Sequence, residues 1–166
     1  PHGKTGKMNC LLNRLTEGGR PRAIRGGGIS SSLRLLVIGP HPDDFDTVGV
    51  TLKYLSGNGN PIQVIVARTG GGVEDSYASG LTLETKAQLR EQEQRNSTRF
   101  FGLPEECLTF VRLENDAEDE PLDAPANLAT LEALVLKHDP DIIFLPHGHD
   151  TNRGHQAIYS LIRQVA

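Results

Sequence analysis

The chain has 166 residues, of which 37% are hydrophobic, and its formal net charge at pH 7 is −4. This length suits one domain with a core of its own. Residues 1–25 carry six of the 17 basic residues and one acidic residue, so the rest of the chain is acidic and has no basic stripe. Nucleic acid is therefore excluded as the expected partner, because binding its phosphates requires clustered lysines and arginines.

Cysteine content and hydropathy indicate where the protein functions. The two cysteines, Cys10 and Cys107, form neither a disulfide framework nor a CxxC metal motif, so a reducing compartment is expected. No apolar run approaches the roughly 20 residues that span a membrane, and the N-terminus lacks the apolar stretch of a signal peptide. The sequence therefore predicts a cytoplasmic protein with no membrane partner.

The first 32 residues differ in composition from the rest. They are rich in Gly, Arg and Ser and show no hydrophobic periodicity. We expect residues 1–32 to form a flexible leader or an extension, and residues 33–166 to form the domain.

Four short apolar runs follow, each with the composition of a strand buried on both faces. They are Leu33–Ile38, Ile62–Ala67, Leu108–Val111 and Asp141–Leu145. Helical patterns alternate with them, at residues 46–57, 82–101, 125–138 and 158–165. This alternation predicts an α/β domain, a three-layer Rossmann-like fold with a mostly parallel sheet and helices on both faces. Ligands of such sheets bind beyond the carboxyl ends of the strands, so we expect the chemistry there.

The turn after the first strand carries three side chains that can bind a metal or a proton, namely His41, Asp43 and Asp44. Pro42 favours an extended conformation for His41. The turn brings residues three apart near each other, so His41 and Asp44 can point at one centre while Asp43 stays close. The alternative is a structural role, in which Asp43 or Asp44 caps the start of the next helix.

The loop after the fourth strand carries a second group of such side chains. They are His147, His149, Asp150 and His155. One of these histidines, added to His41 and Asp44, completes the three-ligand set of a catalytic zinc site, which keeps one position for water or substrate. A nearby carboxylate can take the proton of the bound water, and Asp43 is placed for that task. Solvated loop histidines are the alternative.

The ordered motifs resemble the PIG-L or LmbE-like zinc deacetylases, which include the deacetylases of the glucosaminyl-phosphatidylinositol, mycothiol and bacillithiol pathways. Three blocks carry this resemblance across residues 33–166. They are the first strand with its His41–Asp44 turn, the pair Arg90 and Glu93 with the turn Phe101–Leu103, and the last strand with Asp150–His155.

The resemblance implies a zinc-dependent hydrolase that removes an acetyl group from an N-acetylated amino sugar or similar glycoconjugate. It implies that His41, Asp44 and His155 bind Zn²⁺ and that Asp43 is the general base. The expected partner is a small N-acetylated sugar-like molecule. A homo-oligomer is a further possibility that the sequence does not decide.

Three departures from the family pattern stand out. Phe45 occupies a position where the family has Glu. Asn152 replaces a histidine that is implicated in proton transfer or oxyanion stabilisation, and asparagine donates a hydrogen bond but shuttles no proton. His147 and His149 are the candidate replacements. The chain also stops one helix after the last motif, so we expect the C-terminal part of the domain to be missing.

Further residues are assigned to substrate binding. They are Arg68, Gly70, Gly71, Arg90 and Asp150. The glycines follow the second strand and would let a sugar or phosphate approach the backbone, with a flexible turn as the alternative. The two arginines would bind a substrate anion or brace the site by pairing with a carboxylate such as Glu93. The acidic run Glu114–Glu120 is expected to be a solvated loop.

Two other classes of function stay open. Phe45 and Asn152 favour a catalytically impaired homologue that binds a metal or a sugar. A nucleotide-binding domain would share the sheet, but the first turn lacks the GxGxxG pattern.

Overall fold

The computed structural model describes residues 29–68 and 79–165. The strands are β1 Leu35–Gly39, β2 Ile62–Val66, β3 Leu108–Phe110 and β4 Ile142–Phe144. The helices are α1 Gly49–Gly57, α2 Leu83–Phe100, α3 Pro125–His138 and α4 Arg153–Val165. Short 3₁₀ helices, Asp44–Val48 and Glu105–Cys107, precede α1 and β3. The four strands and four helices lie where the sequence predicts them, with ends that differ by a few residues.

All pairings between the four strands are parallel, and their order is β3-β2-β1-β4. The chain leaves β1 for β2 on one side and later returns to place β4 on the other, where Leu35 pairs with Ile142. The order therefore reverses at β1. In open α/β sheets a ligand crevice lies at such a reversal, beyond the carboxyl ends of the two strands.

The side chains of β1 alternate between two apolar cores. Leu35 packs in one cluster with Leu52 of α1. Leu36, the next residue, packs in a second cluster with Leu131 of α3 and Ile158 of α4. Successive strand residues point to opposite faces, so the sheet is covered on both sides. The predicted α/β fold with a parallel sheet between helices is confirmed.

Local interactions fix where the helices begin and end. The Thr82 hydroxyl accepts a hydrogen bond from the Thr85 backbone N–H at the start of α2, and Pro125 opens α3. The predicted helix 46–57 begins as a 3₁₀ turn, because the Asp46 N–H bonds to the Asp43 carbonyl at 2.9 Å, three residues back. Among the described residues, no helix has both the length and the apolar character needed to cross a membrane.

The predicted leader lies outside the described residues up to position 28. Its last part contacts the domain. Ile29 packs against the first core cluster, and its carbonyl accepts a hydrogen bond from the Asn58 side chain at 3.1 Å. Contacts with the domain therefore begin before the predicted boundary at residue 33.

Candidate metal centre

Three side chains from two distant parts of the sequence meet at the carboxyl ends of β1 and β4. His41 and Asp44 lie in the turn after β1, and His155 lies in the first turn of α4. The Asp44 carboxylate is 3.4 Å from His41 Nδ1 through Oδ2 and 3.0 Å from His155 Nε2 through Oδ1. One potential ligand atom from each residue lies within 4.8 Å of the other two.

In the turn after β1, the apolar side chains are buried and the side chains that can bind a metal or a proton are at least partly exposed. Pro42 and Phe45 are buried, His41 and Asp44 are partly buried, and Asp43 is exposed. The Asp44 carboxylate accepts the His41 backbone N–H at 2.7 Å, which closes the turn. Asp43 makes no capping hydrogen bond at the start of the 3₁₀ helix. The alternative of a helix cap therefore does not describe Asp43.

A second carboxylate orients His155. Asp150 Oδ2 lies 2.9 Å from His155 Nδ1, and Asp150 Oδ1 accepts the Asn152 backbone N–H at 2.8 Å. The Asp150 contact occupies Nδ1 and leaves Nε2 directed at Asp44. Metal-binding histidines commonly use one ring nitrogen for the metal and donate the other to a carboxylate.

The charges of this group reinforce each other. Burial raises the pKa of Asp44, but hydrogen bonds from His41 and the charges of both histidines outweigh it and hold the pKa below its ordinary value. Burial lowers the pKa of His155, but the hydrogen bond and charge of Asp150 and the charge of Asp44 raise it overall. The pKa of Asp150 is lowered, mainly by the hydrogen bond from the Asn152 backbone N–H and next by the hydrogen bond with His155. The site is thus a pair of carboxylates, Asp44 and Asp150, around a histidine whose protonated form they stabilise.

The donor set fits a zinc ion. Zinc bonds to His nitrogen and carboxylate oxygen are about 2.0–2.2 Å long, so neighbouring ligand atoms lie about 3–3.5 Å apart. Asp44 Oδ1 lies 3.0 Å from His155 Nε2 and Asp44 Oδ2 lies 3.4 Å from His41 Nδ1, so each contact falls in that range through a different oxygen, while the full set of three ligand atoms spans up to 4.8 Å. All three side chains are partly buried, with 18–21% of their surface exposed. Three protein ligands in a partly open site leave room for a water or a substrate atom.

Arg68, at the end of β2, connects this group to the acidic run. Its guanidinium lies 2.8 Å from His41 Nε2, 2.6 Å from Asp119 and 3.1 Å from Glu120. The Arg68 side chain is 8% exposed and that of Glu120 is 17% exposed. The prediction of a solvated loop is therefore wrong for Asp119 and Glu120, because Arg68 draws both carboxylates against the site. Their spacing along the chain offers no sign of this partner.

Arg90 of α2 contacts two carboxylates. Its Nη2 atom lies 2.8 Å from Asp43 Oδ2, and its Nη1 atom lies 2.6 Å from Glu93 Oε2. The pairing with Glu93 is the bracing alternative that the sequence left open. The sequence does not indicate the contact with Asp43, because the two residues belong to separate motifs.

The remaining candidate residues offer no ligand atom to the group or lie outside the described residues. His147 and His149 are exposed, with ring centroids 5.3 Å apart, and neither belongs to the group that could hold a metal within the described parts of the chain. Asn152 accepts the His155 backbone N–H at 3.2 Å through Oδ1, as a residue capping α4 does. Gly70 and Gly71 lie outside the described residues.

A cavity of about 220 Å³ opens beside the potential ligands. Its lining includes Asp44, Asp150 and His155 together with the apolar Phe144 and Leu145. Pockets that enclose a whole small-molecule ligand usually hold about 300–1,000 Å³. This cavity suits a small part of a ligand rather than an entire disaccharide.

The sequence comparisons point to one family. The family described as PIG-L, GlcNAc-PI de-N-acetylase, matches residues 36–166. Among curated proteins, no sequence matches the chain.

Solved structures share the fold. N,N′-diacetylchitobiose deacetylase from Pyrococcus horikoshii superposes with a TM-score of 0.70 at 22% identity, over 93% of this chain and 52% of that one. GalB, the 4-carboxy-2-hydroxymuconate hydratase of Pseudomonas putida, gives 0.68 at 18% identity, over 80% and 55%. A conserved protein from Thermus thermophilus gives 0.62 at 24% identity, over 80% and 55%.

The similarity to these structures covers only part of their length. The chain spans about half the length of the three structures. At these identities the likeness establishes the fold alone, and the three include both a deacetylase and a hydratase. The activity must therefore be argued from the residues of the site.

Proposed function

The chain belongs to the PIG-L, GlcNAc-PI de-N-acetylase, family, and we propose on this premise that it is a zinc-dependent amide hydrolase. Its substrate is an N-acetylated amino sugar or similar glycoconjugate, from which it removes the acetyl group. The observation that carries the proposal is the grouping of His41, Asp44 and His155 at the reversal of strand order, with the Asp43 carboxylate next to it in the same turn. The fold shared with a diacetylchitobiose deacetylase is consistent with it.

His41, Asp44 and His155 hold the ion in this proposal. When bound, a zinc ion polarises the acyl carbonyl and lowers the pKa of water to near 7. Asp150 keeps the His155 ring in place through its 2.9 Å contact with Nδ1. The low pKa of Asp44 supports this role, because a carboxylate must be ionised to bind a cation.

Asp43 acts as the general base. Its side chain is 57% exposed, so a water or substrate atom can reach it from solvent. It accepts a proton from the attacking water. The nitrogen of the broken amide bond then needs a proton, which comes from Asp43 or from one of the loop histidines, His147 and His149.

The substrate assignments extend from the same edge of the sheet. The small cavity beside Asp44 and His155 takes the acetyl-bearing part of the substrate. The sugar ring then extends toward Arg68 at the end of β2. The assignment of Gly70 and Gly71 to substrate binding stays a prediction from the sequence, because both lie outside the described residues. The cytoplasmic location and the possible homo-oligomer remain predictions from the sequence.

Acetate release tests the proposal directly. We expect the zinc-loaded protein to release acetate from N-acetylglucosamine or N,N′-diacetylchitobiose, and a chelator to stop the reaction. Asp43→Ala should keep its zinc and lose about 10²–10⁴-fold in turnover. Asp123→Ala, which removes an exposed carboxylate outside the metal site, is the matched control.

Two outcomes would contradict the proposal. Wild-type turnover in Asp43→Ala would remove Asp43 from the mechanism. Bound zinc without hydrolysis of any N-acetylated sugar would favour the alternative that Phe45 and Asn152 suggest, a catalytically impaired homologue that binds metal or sugar.

A further inference from the structure

We propose that Arg90 is a positioning residue that fixes the orientation of the Asp43 carboxylate from helix α2. This inference rests on the proposed function, in which Asp43 is the general base. It replaces direct substrate binding as the main role of Arg90.

Asp43 depends on a partner outside its own turn. It occupies the N-cap position of a 3₁₀ helix, where an aspartate usually bonds to a backbone N–H, but its side chain makes no such bond. The Asp43 side chain is 57% exposed, and its Oδ2 atom lies 2.8 Å from Arg90 Nη2. Without Arg90 this exposed side chain would be free to change rotamer.

Arg90 is itself held in place. Its side chain is only 14% exposed. Glu93, one turn further along α2, binds Arg90 Nη1 at 2.6 Å while Nη2 faces Asp43. Because the guanidinium is planar and rigid, fixing one nitrogen fixes the direction of the other. The Glu93 contact therefore sets where Arg90 holds the Asp43 carboxylate.

Helix α2 is anchored on the turn after β1 by two further contacts. The Ser97 hydroxyl donates to the Asp46 carboxylate. The ring of Phe101, just beyond α2, packs edge-on against Phe45 with centroids 5.5 Å apart. Positions 90, 97 and 101 lie on one face of a helix with 3.6 residues per turn. One helix face thus positions Asp43 through a rigid element, as precise catalytic geometry requires.

Arg90→Ala separates this role from substrate binding. A misplaced catalytic group costs about 10²-fold, so we expect kcat to fall by about that factor while KM stays within about twofold. Bound zinc should be unchanged. Arg90→Lys should recover part of kcat, because it restores the charge without the rigid fork. If Arg90 binds substrate instead, KM rises with kcat unchanged, which would overturn the proposal.

A double variant and a control complete the kinetic test. Asp43→Ala with Arg90→Ala should be no slower than Asp43→Ala alone, because Arg90 acts through Asp43. Losses that multiply would contradict the inference. Arg95→Ala removes another α2 arginine, which pairs with Glu105 at 3.0 Å, and should leave kcat unchanged.

A crystal structure of the zinc-loaded Arg90→Ala variant gives a readout independent of activity. We expect the Asp43 carboxylate to leave its wild-type position while His41, Asp44 and His155 stay in place. An unmoved Asp43 carboxylate would overturn the inference. If the wild-type protein releases no acetate, the proposed function fails, and this structure still decides the role of Arg90.

Discussion

Asp44 Oδ1 lies 3.0 Å from His155 Nε2, although 111 residues separate the two side chains in the sequence. The contact follows from the topology, because β1 and β4 are neighbours and their carboxyl ends lead into the two turns that carry these residues. A substitution in either turn that displaces Asp44 or His155 should therefore weaken metal binding more than it destabilises the fold.

Gly39 leaves space for the Asp44 side chain. A Cβ atom at position 39 would lie 2.6 Å from Asp44 Cβ and 2.8 Å from its Oδ2. We expect Gly39→Ala to displace Asp44 and weaken zinc binding by at least about tenfold, comparable to losing an outer partner of a metal ligand. Titration with zinc measures this, and Gly57→Ala is the control because a Cβ there meets nothing within 4 Å. Equal affinity in both variants would disprove the steric account.

Asp150 is expected to act on the metal through His155. Removing a carboxylate that orients a metal-binding histidine typically costs about 10–100-fold in metal affinity, and we expect a loss of this size in Asp150→Ala. Glu118→Ala, which changes a 67% exposed carboxylate on the neighbouring loop, should have no effect. Unchanged zinc affinity together with a raised KM would instead support the sequence prediction that Asp150 binds substrate.

Phe45 explains one departure from the family pattern in structural terms. It is 2% exposed and packs in the first core cluster. Phe45→Ala should lower the free energy of unfolding by about 3–5 kcal/mol, and Phe45→Glu should destabilise at least as much because it buries a charge. Phe100→Ala, at a position 77% exposed, should stay within about 1 kcal/mol. Denaturant unfolding measures all three, and a Phe45→Glu variant as stable as the wild type would contradict the packing account.

The metal-free protein should lose stability as the pH rises above 6.5. The folded-state pKa of His155 is raised above 6.5, so its contribution to stability is complete below that pH and is lost as the pH rises through the raised value. Asp44 has a lowered pKa, so its contribution is present above 3.8 and is lost only as the pH falls through its folded-state value. Thermal unfolding in chelator between about pH 5.5 and 9 measures the effect.

Zinc should reverse this trend, because zinc binding requires neutral His155 and therefore strengthens as the pH rises. His155→Gln should flatten the profile of the metal-free protein, whereas His147→Gln, at an exposed loop position, should leave it unchanged. A wild-type profile that does not change above pH 6.5 would contradict the raised pKa of His155.

The sequence predicts the fold well because each element has a local signal. Buried strands show apolar runs such as Ile62–Ala67, and Pro125 marks the start of a helix. The order β3-β2-β1-β4 carries no comparable local signal, yet it decides which strand ends meet. The sequence alone therefore predicts that the first and fourth strands share the chemistry at their carboxyl ends, and the structure shows that these two strands are neighbours in the sheet.

The partners of the candidate site were harder to predict than its members. His41, Asp44 and His155 stand in recognisable motifs, and the structure groups them. The contacts of Arg68 with Asp119 and of Arg90 with Asp43 join residues 51 and 47 positions apart. Such ion pairs depend on how loops and helices pack around the sheet, and charge patterns along one chain do not encode that packing.

The metal content of the purified protein tests the central claim most directly, measured by elemental analysis beside a His155→Ala variant. A catalytic centre of this type predicts about one zinc per wild-type chain and its loss in the variant. No bound metal in the wild-type protein after zinc is added, or the same content in both proteins, would contradict a metal centre formed by His41, Asp44 and His155.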